Sequence, residues 1–297
     1  MKYSILITIT LTLLLSACQP AATITPPATL PEQPTSTSAP AVVTLGSPLP
    51  DPNQPQTTPA SESPVLPPAE VPDGKILQSL MLHAHENWTS VWAEATGRWY
   101  AGDEANTLNS EERHQVWIRR PFYMLAFSGP LQGTPNALYI SDGSAYLIPG
   151  MDPQPFPEYI LHPPKMPSVD TGLPVQPPES FIPNPLVDNL YPIGLAGRPG
   201  EYRPIGAAVI ANRPAYILEW TPEFASQRLN RFWIDAQSGV ILRLEAYTKP
   251  DGRYLTQEIE VTTILYDVEI PESLFTMDFT LPSSFAQNYN DLPGFSQ

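Results

Sequence analysis

Apolar and polar positions repeat with a helical period just after residue 72. The apolar residues of this stretch are Ile76, Leu77, Leu80, Met81 and Ala84. They recur at the three- and four-residue spacing of one helix face. Asp73 precedes them, and a carboxylate at that position can accept hydrogen bonds from the first free amides of a helix. The pattern predicts one amphipathic helix, which ends about where Trp88 starts an extended run.

Alternating apolar and polar residues, divided by turn residues, fill most of the remaining chain. The strand-like stretches are 88–100, 112–129, 136–150, 206–222 and 228–271. Pro121 indicates an edge or a bend within the second stretch, and Ser141-Asp142-Gly143 is typical of a hairpin turn. Gly239 and Gly252 close two further turns. The pattern predicts an α+β fold with one curved antiparallel sheet, closed into a half-open β-barrel and lidded by the helix and loops.

The predicted strands after residue 206 each carry an apolar face, and this face has two possible roles. It lines either a packed core or a hydrophobic cavity for acyl chains, of the kind found at a barrel mouth. Core stripes are the commoner use of such a pattern. If a cavity exists, its predicted lining residues are Tyr216, Leu218, Trp220, Phe232, Ile234, Leu242 and Leu244. In this interpretation Val240, Leu242, Leu244 and Ala246 share one face of their strand.

The N-terminus resembles an export signal with a site for lipid attachment. Residues 1–17 combine Lys2 with an apolar run from Ile5 to Leu15, which is too short to span a bilayer. The run ends in Leu15-Ser16-Ala17-Cys18, the pattern of a bacterial lipobox. We therefore predict lipidation of Cys18 by acyl chains such as palmitate, which would anchor the protein to the exported side of a cell-envelope membrane. The alternative is a conventional signal peptide with a chance cysteine.

Two proline-rich stretches differ in composition. Residues 18–72 are mostly Pro, Ser, Thr and Ala without Lys or Arg, which predicts a disordered tether after the anchor. Residues 149–204, the insertion, are also rich in Pro but keep many apolar side chains. We expect the insertion to pack on the domain as a cover or lid, with a short helix near 185–190.

Charge and residue spacing exclude several classes of protein. The net charge of −15 argues against nucleic acid, whose phosphates need a basic surface. No nucleophile elbow, phosphate loop or dinucleotide fingerprint is present. His83 and His85 lie two positions apart on the predicted helix and therefore face different sides. Asp142, Asp235 and Asp251 stand where turns favour Asp. The sequence nominates no catalytic residue, metal ligand or cofactor, and predicts a protein that is not an enzyme.

The order of these turn and strand signals resembles a known superfamily. The carrying residues are Trp233, Asp235 and Gly239, then Leu242 to Glu245, Asp251-Gly252, Ile270-Pro271 and Leu274-Phe275. In this arrangement the chain is similar to the LolA/LolB-like outer-membrane lipoprotein-sorting proteins and to the N-terminal domain of the RseB sigma-factor regulators. The resemblance covers about 73–279 without the insertion, within a predicted domain of 73–297.

The resemblance implies a half-open barrel whose hydrophobic cavity binds lipid chains, often those of lipoproteins. On this basis the protein is expected to be a carrier, receptor or sensor without covalent chemistry, with lipid or lipoprotein acyl chains as its partner. The alternative is a protein-interaction or stress-sensing module of the cell envelope, with a filled core and a protein partner. The lipobox and the long tether depart from the soluble carrier of the superfamily, and the lipobox is nearer to its membrane-anchored receptor.

Overall fold

The computed structural model describes residues 65–161, 177–225, 227–248 and 254–295. The predicted signal peptide, Cys18, most of the tether, the centre of the insertion and the turn at Asp251-Gly252 lie outside these ranges. The described α-helices are α1 (Gly74–Leu82), α2 (Glu158–Leu161), α3 (Pro185–Leu190) and α4 (Ile193–Ala196). Short 3-10 turns are found at Ala84–Asn87, Pro178–Phe181 and Glu272–Leu274.

All strands of the described ranges belong to one antiparallel sheet. They are β1 (Ser90–Tyr100), β2 (Leu108–Arg119), β3 (Tyr123–Pro130), β4 (Ala137–Asp142), β5 (Ala145–Leu147), β6 (Gln154–Pro155), β7 (Gly200–Ile210), β8 (Arg213–Pro222), β9 (Leu229–Asp235), β10 (Ile241–Tyr247) and β11 (Leu255–Tyr266). Their order across the 11-stranded sheet is β6-β5-β4-β3-β2-β1-β11-β10-β9-β8-β7. Because β6 and β7 stand at opposite ends, the sheet stays open, which confirms the predicted α+β half-barrel.

The predicted amphipathic helix is confirmed as α1. Its N-cap carboxylate, on Asp73, accepts hydrogen bonds from the amides of Lys75 at 2.8 Å and Ile76 at 3.0 Å. Leu77 and Met81 are fully buried, and they supply the apolar face that holds the helix on the sheet. The local pattern was sufficient here because capping and amphipathic spacing act within a few residues.

The stretch predicted as one strand over 112–129 is two strands. It forms the antiparallel pair β2 and β3, in which Arg119 lies opposite Tyr123. Pro121 stands in the connection, where a residue without an amide hydrogen removes no ladder hydrogen bond. The expected bend is therefore a full chain reversal, and the strand count rises accordingly.

The described part of the insertion packs on the sheet as a cover. Its helix α3 has the predicted bounds and lies against β1, β2, β10 and β11. Leu186, Val187 and Leu190 of this helix are fully buried. The end of the predicted insertion is different, because β7 already begins at Gly200.

The two faces of the sheet carry separate apolar clusters. The α3 cluster joins Ala93 and Val116 to the side chains of α3. The C-terminal cluster joins Trp92 and Trp117 to residues of the segment 268–295, among them Phe285. Because Trp92 and Ala93 are consecutive in β1, their side chains point to opposite faces. The last described residues of the chain therefore cover the face that α3 does not, a feature that the sequence pattern did not predict.

A β-bulge in β10 corrects the predicted alternation of that strand. The register shifts between Ile241, opposite Ile234, and Arg243, opposite Trp233. An extra residue in one strand reverses the alternation on its far side. Ile241 and Leu244 consequently share one cluster, whereas Leu242 belongs to the α3 cluster. The shift therefore places Ile241 on the same face as Leu244, where simple alternation would separate them. Leu244 lies opposite Ile259, a member of the α3 cluster, so the two clusters share this face of the sheet.

A continuous series of ion pairs crosses the face of the sheet opposite Leu244. From β7 to β2 its members are Arg203, Glu219, Arg231, Glu245, Arg243, Glu258, Arg98 and Glu111. The pair of Arg243 and Glu258 measures 3.1 Å, and Arg243 also pairs with Glu260 at 3.2 Å. Glu258 is buried in this network. The face around Glu258 and Glu260 is thus a paired and partly buried one.

Candidate functional site

Most of the predicted ligand-binding residues lie under α1 and α4. The α1 cluster consists of Leu77, Met81, Ala196, Leu218, Trp220, Phe232, Ile234, Ile241 and Leu244, and Tyr216 packs against it. Leu218, Phe232 and Ile234 are fully buried in this cluster. Leu242 is the exception, since it belongs to the α3 cluster. The structure thus brings together six of the residues predicted from the strand pattern, and their role in ligand binding stays a prediction.

Few polar contacts hold α1 and α4 in place over the α1 cluster. The side-chain amide of Gln78 in α1 donates a 2.7 Å hydrogen bond to the carbonyl oxygen of Ala196 in α4. The hydroxyl of Tyr202 lies within hydrogen-bond distance of the carbonyl oxygens of Leu195, Ala196 and Arg198. The ring of Tyr202 stacks on that of Trp220, with 6.0 Å between the ring centres. One helix, one short turn of helix and one tyrosine therefore close this end of the sheet.

A groove of about 380 Å³ opens beside the α1 cluster. It lies where the residues after α4 meet the ends of β8, β9, β10 and β11. Its apolar wall consists of Leu195, Trp220, Pro222, Phe224 and Ala246. Its polar lining residues include Asn230, Tyr247, Thr248, Thr256 and Gln257. A concave site of this size, lined by both apolar and hydrogen-bonding side chains, falls within the usual range for small-molecule sites.

The groove shares residues with the α1 cluster. Trp220 is a buried member of that cluster, and Leu195 and Ala246 pack against it. All three also line the groove. Phe224, which also lines the groove, is 65% exposed. The groove is therefore a surface opening that leads onto the residues predicted from sequence.

Two arginines give the groove a positive lip. Arg198 follows α4 and Arg228 precedes β9, and both side chains are exposed. Neither forms an ion pair within 4.0 Å with any acid of the described ranges. Arg198 acts at longer range on Asp188: desolvation by the surrounding protein raises the pKa of Asp188 to about 6, and the charge of Arg198 opposes that rise. Arg198 and Arg228 were not nominated from the sequence, because nothing local distinguishes them from other surface arginines.

Two other cavities in the described part of the surface are lined by polar side chains that already have partners within the chain. One of about 420 Å³ lies beside Arg119 and Arg120. Arg119 pairs with Glu272 at 3.3 Å, and Arg120 donates to the carbonyl oxygens of His85 and Trp88. Another, of about 210 Å³, is lined by the paired residues Arg203 and Glu219. The groove differs from both because the described ranges offer its cations neither an ion pair nor a side-chain hydrogen bond.

The interior beneath α3 is filled by the chain itself. Ile182, Leu186, Leu190 and Tyr191 are buried against side chains of the central strands. Buried polar groups accompany them, including both amide atoms of Asn189, for which the described residues offer no hydrogen-bond partner. The centre of the half-barrel is therefore a packed core with polar inclusions, and the groove provides open space at the surface.

Metal ligation and membrane crossing have no candidate in the described ranges. No group of three or more His, Cys, Asp or Glu side chains converges there as metal ligands would. None of the helices in the described part of the chain reaches the length and hydropathy that a bilayer crossing demands. Cys18 lies outside the described ranges, so its lipidation stays a prediction.

Comparison with known proteins finds likeness only among solved structures. No family model and no curated protein matches this sequence. A complex of Pseudomonas aeruginosa MucA and MucB matches at 16% identity and a TM-score of 0.40, over 68% of this chain and 60% of that one. The LprF protein of Mycobacterium bovis matches at 11% and 0.36, over 67% and 97%. A LolA superfamily protein of Nitrosomonas europaea matches at 10% and 0.29, over 69% and 98%.

These matches include proteins of the superfamily that the sequence resemblance named. The chain spans about three fifths of the MucB chains, 59% in the complex with MucA(peri) and 62% in MucB alone. Nothing about a ligand or a partner of this chain follows from these matches.

Proposed function

We propose that this chain is a lipid-anchored protein of the bacterial cell envelope whose half-barrel binds a hydrophobic ligand. Cys18 would carry the anchor, and residues 18–72 would hold the domain away from the membrane. The alkyl part of the ligand would lie in the groove and contact the α1 cluster. The observation that carries the proposal is the set of shared residues Leu195, Trp220 and Ala246, which line the groove and pack in or against that cluster.

The groove accommodates part of an alkyl chain without rearrangement. A longer chain would need α1 and α4 to move outward, because Leu218 and Phe232 are fully packed. That movement breaks the hydrogen bond from Gln78 to Ala196 and the contacts of the Tyr202 hydroxyl. The apolar surface of the ligand would replace the packing of the helix. A carrier or sensor needs this kind of reversible opening.

The proposal is tested by filling the groove. Residues 19–297 lack only the predicted signal segment and anchor, and they can be studied in detergent-free solution. Ala246→Trp should occupy the groove with an indole ring, whereas Gln132→Trp places the same ring on the exposed turn between β3 and β4, which contribute no residue to the groove. We expect native mass spectrometry to find co-purified lipid, and a hydrophobic dye to be displaced by fatty acid, in the parent and in Gln132→Trp only. Equal dye binding by all three proteins would contradict the groove as the site.

The anchor is tested separately from the ligand. Cys18→Ser in the full chain should move the protein from the membrane fraction to the soluble exported fraction. Metabolic labelling with an acyl-chain analogue should mark the parent and not the variant. Membrane association that persists in Cys18→Ser would contradict lipid anchoring at this residue.

A second candidate function is a protein-interaction module of the envelope. It is favoured by the core under α3, which Leu186, Leu190 and Tyr191 already fill. In that case residues 19–297 would show neither co-purified lipid nor dye binding. Site-specific crosslinking from the exposed Phe224 in cells would instead yield one defined protein partner. The two candidates therefore give opposite results in the same dye-binding measurement.

A further inference from the structure

We infer that the groove selects amphiphiles with an acidic headgroup, a carboxylate or a phosphate, over uncharged ones. The inference rests on the proposed function and adds the chemical class of the ligand. The inference rests on which arginines of the described ranges have a partner. In those ranges, the two arginines that lack both an ion pair and a hydrogen bond to a backbone carbonyl, Arg198 and Arg228, line the groove.

Most arginines of the described ranges are committed to carboxylates of the same chain. Those in ion pairs are Arg98, Arg113, Arg119, Arg203, Arg213, Arg231 and Arg243. Arg120 donates to backbone carbonyls of His85 and Trp88. The remaining Lys and Arg side chains of the described ranges are Lys75, Arg198 and Arg228. Both of these arginines line the groove.

This placement is unusual for so acidic a chain. Acidic residues outnumber basic ones 30 to 15, so an exposed arginine will readily find a carboxylate partner. Two guanidinium groups that stay without one, beside a wall formed by Leu195, Trp220 and Phe224, match both halves of an acidic amphiphile. Guanidinium binds carboxylate and phosphate oxygens through paired hydrogen bonds. The apolar wall then holds the first carbons of the alkyl chain.

The geometry sets the orientation of the bound ligand. The arginines are exposed, whereas Trp220 is 2% exposed. The headgroup therefore stays at the lip, near water, and the chain points toward the α1 cluster. An anion in this position needs little desolvation, so charge pairing adds to affinity without the large penalty of a buried ion pair.

The test compares matched ligands on residues 19–297. Decanoate and decanol share their alkyl chain and differ in headgroup charge, and decyl phosphate provides the second acidic headgroup. Calorimetric titration should show decanoate and decyl phosphate binding about threefold to tenfold more tightly than decanol, since each exposed charge contact contributes modestly. Added salt should reduce this preference, because it screens exposed charges. Acetate and inorganic phosphate alone should not compete, since they lack the chain.

The variants assign the preference to the two arginines. The double variant Arg198→Gln with Arg228→Gln should remove the preference, so that decanoate and decanol bind this variant with equal affinity. Arg198→Lys with Arg228→Lys keeps both charges and should retain most of the preference. Lys75→Gln removes an exposed charge outside the groove and should behave like the parent. Circular dichroism verifies that each variant is folded.

The possible results distinguish failure of the acidic-headgroup inference from failure of the proposed function. Equal binding of decanoate and decanol, or a preference that survives the double glutamine variant, overturns the acidic class while the hydrophobic-ligand proposal stands. Absence of binding for all three amphiphiles overturns the proposed function together with this inference. Competition by inorganic phosphate alone would show an anion site without chain recognition, and would also overturn the inference.

Discussion

The hydroxyl of Tyr191 donates a 2.7 Å hydrogen bond to Oε1 of Glu179, inside the protein. Glu179 is fully buried, and its Oε2 has no hydrogen-bond partner in the described ranges. Burial raises the pKa of Glu179. Burial, and then the neighbouring carboxylate, raise the pKa of Tyr191. This contact links the 3-10 turn at Pro178–Phe181 to the end of α3, and so holds the described part of the insertion together.

Loss of that hydrogen bond should loosen the insertion. Tyr191→Phe leaves a buried carboxyl group without its donor, which costs about 1–3 kcal/mol in the free energy of unfolding. The control is Tyr216→Phe, since the described residues show no hydrogen bond to the Tyr216 hydroxyl. Urea denaturation of both variants measures the difference. Equal stabilities of the two variants would mean that the Tyr191 contact adds nothing.

His114 should make the fold sensitive to mild acid. Its side chain is 1% exposed, both ring nitrogens lack hydrogen bonds in the described ranges, and the Glu112 carboxylate is 3.8 Å from Nε2. Burial lowers the pKa of His114 to about 4. Between about pH 6.5 and this value the unfolded chain binds a proton that the folded chain does not, so stability falls by up to about 3 kcal/mol as the pH falls.

The measurement for His114 is urea denaturation at a series of pH values from neutral to mildly acidic. His114→Leu should flatten the dependence in this window, because the residue can no longer take up a proton in either state. His83→Gln removes an exposed histidine and should leave the slope as in the parent. A pH dependence that is the same in the parent and in His114→Leu would contradict the assignment.

Alanine substitutions at Gly239 and Gly150 should distinguish the cost of a strained backbone from the cost of a steric collision. Both have a positive φ, 81° for Gly239 and 79° for Gly150. A Cβ at Gly239 would stand 2.2 Å from the carbonyl oxygen of Leu80, whereas a Cβ at Gly150 meets nothing within 4 Å. Gly150→Ala should cost about 1–2 kcal/mol from the left-handed conformation alone, and Gly239→Ala clearly more. Thermal denaturation compares the stabilities of the two variants. Equal losses of stability would mean that α1 moves away from the added Cβ at little cost.

Asp235 should stabilise the fold more than an ordinary turn residue does. It is fully buried, pairs with Arg213, and accepts hydrogen bonds from the amides of Gln237 at 2.8 Å and Ser238 at 3.2 Å. Asp235→Asn removes the charge from a buried pair and should cost about 3–5 kcal/mol. Asp142→Asn is the matched change in a turn that has no cation partner in the described ranges, and it should cost about 1–2 kcal/mol. Chemical denaturation of the two variants tests the order.

Local features of the fold could be predicted from the sequence because their causes lie within a few residues. The cap at Asp73 and the hairpin turn at Asp142-Gly143 are examples, since side chain, backbone and turn geometry are set by neighbours in the chain. The short helix within the insertion belongs to the same group. Its Pro at the first helical position and its N-cap Asn184 are both sequence signals.

The sequence by itself therefore determined the α+β class, the meander and the set of apolar residues available for burial. The tertiary structure decided where those residues pack, because burial depends on contacts between segments that are distant in the chain. An extra residue in β10 placed Ile241 on the same face as Leu244, and α3 filled the centre of the half-barrel. Arg198 and Arg228 line one groove although no local motif connects them, since only the packing of α4 beside the strand ends brings the two segments together.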